Sequence, residues 1–145
     1  MLTPEERAKI FRDKRQKTVR TVDKRGNRVE KIVAGFVDTT LDQFNEWYDE
    51  QTFLQGCYYC GTTNQRSLEL YQIQRSGLRP DATRGGKRGK RLELDRKDPN
   101  EPYDHLENIV WCCYWCNNAK SNFFTEEEFG PIALAIGATL AAIDL

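Results

Sequence analysis

Five cysteines fall in two short stretches, Cys57 and Cys60 in "CYYC" and Cys112, Cys113 and Cys116 in "WCCYWC". A C-x-x-C turn supplies two thiolates from one bend, and two such turns complete the tetrahedral ligand set of a zinc ion. Pairing Cys57 and Cys60 with Cys113 and Cys116 gives C-x2-C-x52-C-x2-C. Four thiolates leave no position for water or substrate, so the zinc would be structural. Cys112 stands one residue too far from Cys116 for the same turn and reads as a small buried hydrophobe. A redox C-x-x-C would need a helix start within a βαβ pattern, which is missing.

The ligands need elements to carry them. Thr3, Pro4 and Glu6 open a helix with a capping box, expected to run to about Lys17. "TVRTVDKRGNRVEKIV" alternates about Gly26-Asn27 and predicts a hairpin. Leu41, Phe44, Trp47 and Tyr48 form one apolar helical stripe, read as core. "SLELYQIQ" alternates as a strand, and "RSGLRPDATRGGKRGK" is a loop without apolar period. "RLELD" and "IVWCC" are short strands, with a helix expected to open near Asn117. Thr125 and Glu128 cap a last helix, which Pro131 should disturb early.

Charge is segregated along a chain that is neutral in sum. Residues 1–31 carry 11 Lys and Arg against 5 Asp and Glu, and residues 66–97 carry 10 against 4. The rest of the chain keeps one basic residue, Lys120, against 13 acidic ones. Two basic blocks on a neutral protein suit either a polyanion footprint or two solvated segments, and charge alone leaves both readings open. No apolar run approaches the roughly 18 residues of a membrane span, and the first residues lack a signal-peptide core. A cytoplasmic setting follows, and it favours metal thiolates over disulfides.

The stretch "LELDRKDPNEPYDHLENIVWCCYWCNNAKSN", with "CYYC" upstream, closely resembles the ββα-metal core of the HNH endonucleases. The family's common pattern is Asp-His, then Asn, then Cys-x-x-Cys-Asn-x-x-Lys. It is matched at Asp95, Asn108, Cys113, Cys116, Asn117 and Lys120. Arg96 stands where the water-activating histidine is usual. A branch with Asp-Arg and a tyrosine seven residues on, found in phage-type HNH proteins and PacI-like restriction enzymes, is matched by Tyr103. Pro102 replaces that branch's usual glycine.

The resemblance implies an α+β fold, with a ββα-metal core and a structural four-cysteine zinc site over residues 51–145. Residues 1–50, a basic helix, hairpin and helix extension largely outside the resemblance, are expected from their charge to contact DNA. The resemblance further implies a DNA endonuclease that is restriction-type or phage-encoded. Asp95 and Asn117 would hold a catalytic Mg²⁺ or Mn²⁺, for which oxygen donors are suited. Arg96 would grip the scissile phosphate, and Tyr103 would bond the nucleophile or the phosphate. Because arginine stays protonated, the base must be another group. His105, the only histidine, is the candidate from its intrinsic pKa. Asn108 would bridge the loop rather than touch substrate. Lys120, with Arg84, Lys87, Arg88, Lys90, Arg91, Arg20, Arg25 and Arg28, would meet the phosphates of double-stranded DNA. A homodimer would cut both strands. The alternative is a non-catalytic zinc-ribbon protein that binds nucleic acid.

Overall fold

The computed structural model describes residues 1–80 and 88–145. Thr3 caps α1 (Pro4–Asp13) with the expected reciprocal bonds to Glu6. The helix stops short of Lys17 because the chain turns back at Lys14. Backbone bonds from Gln16 to Phe36 and from Phe36 to Lys14 clamp that turn against the far end of the hairpin. Strands β1 (Lys17–Val22) and β2 (Arg28–Val33) pair antiparallel, from Lys17 opposite Val33 to Val22 opposite Arg28. Asp23 Oδ1 accepts from the amides of Arg25 and Asn27, and Gly26 takes the left-handed φ of 82° that closes the turn.

Helices α2 (Leu41–Trp47) and α3 (Glu50–Leu54) follow. Phe44 from α2 and Phe53 from α3 are fully buried, and Leu41, Trp47 and Tyr48 pack against the same core. The segment "SLELYQIQ" is not a strand; it lies in α4 (Asn64–Arg75). Thr63 caps that helix by accepting from the Arg66 amide, and the Gln, Leu, Glu and Arg that follow favour helix. Ser67 and Leu70, three residues apart, are the positions it buries. The apparent alternation was a coincidence of a short window.

Next come β3 (Glu93–Arg96), a 3₁₀ turn over Leu106–Asn108, β4 (Ile109–Cys112) and α5 (Tyr114–Lys120). The two strands pair antiparallel, with Glu93 opposite Cys112 and Arg96 opposite Ile109. Period-two alternation sends Leu92 and Leu94 into the core and turns Glu93 and Asp95 toward α5. This α+β unit has the strand–strand–helix order that the resemblance implies. The final helix α6 (Glu126–Ala142) starts at the expected capping box and runs through Pro131 without a break. Its Gly137 lies so close to the Cys57–Cys60 turn that a Cβ there would sit 2.8 Å from the Cys60 carbonyl oxygen.

One buried cluster joins Leu2, Ile10, Phe11 and Phe36 to Leu92, Trp111 and Phe129. Asp104 adds a polar tie across the same junction. Its carboxylate accepts from the amides of Val37, Asp38 and Thr39 and from the Thr39 hydroxyl at 2.6 Å. Among the described residues no helix is long and apolar enough to cross a membrane.

Candidate zinc centre and adjoining active site

The sulfurs of Cys57, Cys60, Cys113 and Cys116 all lie within 4.8 Å of one another. Cys60 Sγ and Cys113 Sγ are 3.7 Å apart. Zn–S bonds of about 2.3 Å at tetrahedral angles put sulfurs about 3.8 Å apart, so the spacing suits zinc. Local bonds preset the site. The amides of Cys57 and Gly61 bond back across the knuckle, the Tyr58 amide donates to the Trp111 carbonyl on β4, and the Cys116 amide donates to Cys113 Sγ. The neighbouring sulfurs of Cys112, Cys113 and Cys116 hold Cys57 far below an ordinary thiol, and those of Cys113 and Cys116 bring Cys60 down to about 7. The sulfurs of Cys113, Cys57 and Cys60 drive Cys116 up. Four thiolates cannot share this space without a cation, which is the electrostatic demand that a divalent ion answers. Cys112 is outside the ligand group, fully buried, its thiol donating to the Cys113 carbonyl.

Asp95 is reached from two sides. The Tyr59 hydroxyl, carried between the two ligands of the knuckle, donates to its Oδ2 at 2.6 Å. Burial and then the Asp95 carboxylate push Tyr59 above its usual value, so it remains a donor. Lys120 Nζ stands 3.3 Å from the same oxygen and donates to the Arg96 carbonyl at 2.9 Å. Lys120 was expected to meet a phosphate; its side chain is instead 0% exposed. The reason is geometric. Lys120 lies on the face of α5 that packs on β3, where an ammonium survives burial only beside a carboxylate and an acceptor carbonyl.

Asn117 sits one turn inside α5, which opens at Tyr114 with Cys113 as its cap, rather than opening the helix itself. It does not pair with Asp95. Its Nδ2 donates to Glu93 Oε1 at 2.9 Å. Glu93 in turn takes a fork from Arg88, Nε to Oε2 at 3.1 Å and NH2 to Oε1 at 2.6 Å. Arg88 also stacks on Tyr114, 4.8 Å from the ring centre.

Arg96 points to the opposite side of the strand from Asp95. Its guanidinium lies 4.6 Å over the Tyr103 ring and donates to the Glu101 carbonyl at 3.2 Å and to Asn122 Oδ1 at 3.4 Å. Lys14 Nζ also lies 4.6 Å from the Tyr103 ring centre, so two cations contact the ring. His105 is half-exposed, with Nδ1 3.7 Å from the Glu101 carboxylate. Asn108 bridges its loop as expected, its side chain exchanging both hydrogen bonds with the Asp98 backbone.

A groove of about 690 Å³ runs between the end of α1, the stem of the hairpin and β3. Lys14, Lys17, Arg88, Lys90 and Arg91 line it against Asp13 and Glu93, and Asn117 forms part of its wall. Lys17 and Val33 line the groove too, so the hairpin face they share, with Val19 and Lys31, continues it. Arg20 and Arg28 lie on the other face, and Arg25 is in the turn. Arg84 and Lys87 fall outside the described residues. Glu93, Tyr59 and Lys14 were not singled out in the sequence. Only Glu93 left a signal there, two positions before Asp95 on the same strand face.

No family model matches the chain, and no curated protein matches it. Among solved structures the chain is similar to the rare-cutting HNH restriction endonuclease PacI, whose structure was described for its mechanism of DNA perturbation. Identity is 27% and the TM-score 0.54, over 70% of this chain. The match spans 64% of that chain, somewhat under two-thirds of its length. The chain thus has an HNH-like fold around a four-cysteine cluster that could hold zinc.

Proposed function

We infer that this chain is an HNH-type endonuclease that hydrolyses double-stranded DNA with Mg²⁺ or Mn²⁺, beside a structural zinc on Cys57, Cys60, Cys113 and Cys116. The observation that carries this reading is the basic groove with Asn117 in its wall, set on a framework similar to a DNA-cutting enzyme. Asp95 Oδ1 and Asn117 Oδ1 are the oxygens we assign to the divalent ion, which would neutralise charge on the scissile phosphate. Arg96 and Tyr103 lie across β3 from Asp95, where the guanidinium, which cannot be a base, would clamp a neighbouring phosphate. His105, held by the residue whose carbonyl anchors Arg96, is the candidate base. Lys14, Lys17, Lys90 and Arg91 supply phosphate contacts. A homodimer would present two such sites to opposite strands, which suits a restriction-type or phage-encoded enzyme acting in the cytoplasm.

One observation favours a second reading, a DNA binder without hydrolysis: Lys120 already gives Asp95 a positive partner. Plasmid nicking in Mg²⁺ or Mn²⁺ separates the two. Metal-dependent nicking by the wild type that Asn117→Ala abolishes supports the enzyme. Tight DNA binding with no cleavage in any divalent metal overturns it.

A further inference from the structure

An asparagine side chain ends in two atoms of nearly equal size and opposite chemistry, and a half-turn about its last bond exchanges them. Only the oxygen can bind a cation, so an asparagine ligand is useful only if its amide is held one way round. Asn117 is placed for such control. The atom facing it is Glu93 Oε1 at 2.9 Å. A carboxylate only accepts, so the nitrogen must face Glu93 and the oxygen must point away from it.

Glu93 is itself fixed. Arg88 holds both its oxygens in a two-bond fork at 3.1 and 2.6 Å, and Tyr114 supports the guanidinium from behind. The backbone on each side is pinned to the zinc-ligand end of the fold. Glu93 pairs with Cys112, the neighbour of Cys113, and Asn117 directly follows Cys116. Glu93 and Asn117 both line the basic groove, as does Arg88.

We propose that Glu93 is the positioning residue of Asn117, setting its amide so that Oδ1 faces the divalent ion, and that Arg88 locks Glu93 in that role. This rests on the reading of Asn117 as a metal donor. It adds a requirement that the donor pair alone does not contain: an acceptor at position 93. It also joins Arg88, just before β3, to the chemistry, because Arg88 holds the residue that orients the ligand. Outer partners of metal ligands typically change affinity or activity by about 10–100-fold when removed.

The test uses the full chain loaded with zinc and titrated with Mn²⁺ alone, with nicking kinetics in parallel. Asn117→Ala should abolish Mn²⁺ binding at the site. If it binds Mn²⁺ as the wild type does, the metal-site reading has failed and the present proposal with it. Given that loss, Glu93→Met, which keeps volume but no acceptor, should weaken Mn²⁺ binding and lower kcat by about 10–100-fold, with KM for DNA little changed. Glu93→Gln, whose carbonyl still accepts from Asn117, should restore most of both. In an Asn117→Asp background both terminal atoms are oxygens, orientation no longer matters, and Glu93→Met should cost nothing further. A merely structural Glu93 would cost the same in both backgrounds. Mn²⁺ affinity of Glu93→Met within twofold of wild type, or an equal penalty in the Asn117→Asp background, overturns the proposal. Zinc content checks folding, and Glu93→Ala replaces Glu93→Met if the latter loses its zinc.

Discussion

Replacing Lys120 by methionine separates a buried counter-ion from a phosphate contact. In the wild type the Lys120 side chain is 0% exposed and that of Asp95 9%, with 3.3 Å between the charges. Methionine fills the channel but leaves Asp95 with the Tyr59 hydroxyl as its remaining neighbour of that pair. Removing one partner of a buried ion pair costs about 3–5 kcal/mol, because the other charge stays desolvated. For a chain of this size each kcal/mol lowers Tm by about 2–4 °C, so a fall of roughly 6–20 °C is expected. Adding Asp95→Asn should recover most of it, since a neutral amide needs no counter-ion. The assay is thermal unfolding of the zinc-loaded single and double variants by circular dichroism. A surface lysine that touched phosphate would behave otherwise: Tm would hold within about 2 °C and the salt dependence of DNA binding would fall by about one unit of slope. That outcome, or a double variant no more stable than Lys120→Met, would refute the buried-pair account.

Asp104→Ala should remove about 1–3 kcal/mol by stripping acceptors from three amides and the Thr39 hydroxyl, read by urea unfolding. Burial pushes the Asp104 carboxyl up, but its bonds from Thr39, Asp38 and Val37 outweigh that and leave it below its usual value. Its contribution is therefore full above the unfolded pKa of about 3.9 and disappears as pH falls through the lower folded value. The gap between wild type and Asp104→Ala should narrow only in that acid range. Gly137→Ala forces a methyl against the Cys60 carbonyl and should cost about 1–3 kcal/mol, with zinc released at lower chelator concentration. Changing Lys17, Lys90 and Arg91 together to alanine should lower the slope of log K against log salt for duplex DNA by about 3, at about 0.9 per phosphate contact.

The parts of this fold that were legible in the sequence are those set by neighbours in the chain. The capping boxes at Thr3 and Thr125 need only residues three apart, and both formed as expected. The hairpin turn at Gly26 and the strands bearing Asp95 and Trp111 likewise follow from local pattern. The cysteine pairs were legible because four residues of one rare type repeat one spacing. What escaped depends on packing between distant segments. Glu93 meets Asn117 across 24 residues, and Tyr59 meets Asp95 across 36. Lys120 looked like a solvated cation because nothing near it in sequence tells which face of α5 lies on β3. The "SLELYQIQ" segment was misread for a different reason: eight residues are too few to separate a period of two from one of 3.6 when the apolar positions are sparse.

The four-cysteine cluster also has a meaning for the chain before it folds. Its two halves lie 52 residues apart, so an ion on the four sulfurs ties the backbone into a ring. By chain-statistical reasoning a tie of that span removes unfolded-state entropy worth about 4 kcal/mol. The same statistics make the ring tolerant of its own length, since doubling it changes the closure cost by only about 0.6 kcal/mol. The glycine- and arginine-rich segment between α4 and β3 lies inside this ring. Residues can be added or removed within that span at little thermodynamic cost, while an ion on the four sulfurs would keep the two ends of the site together.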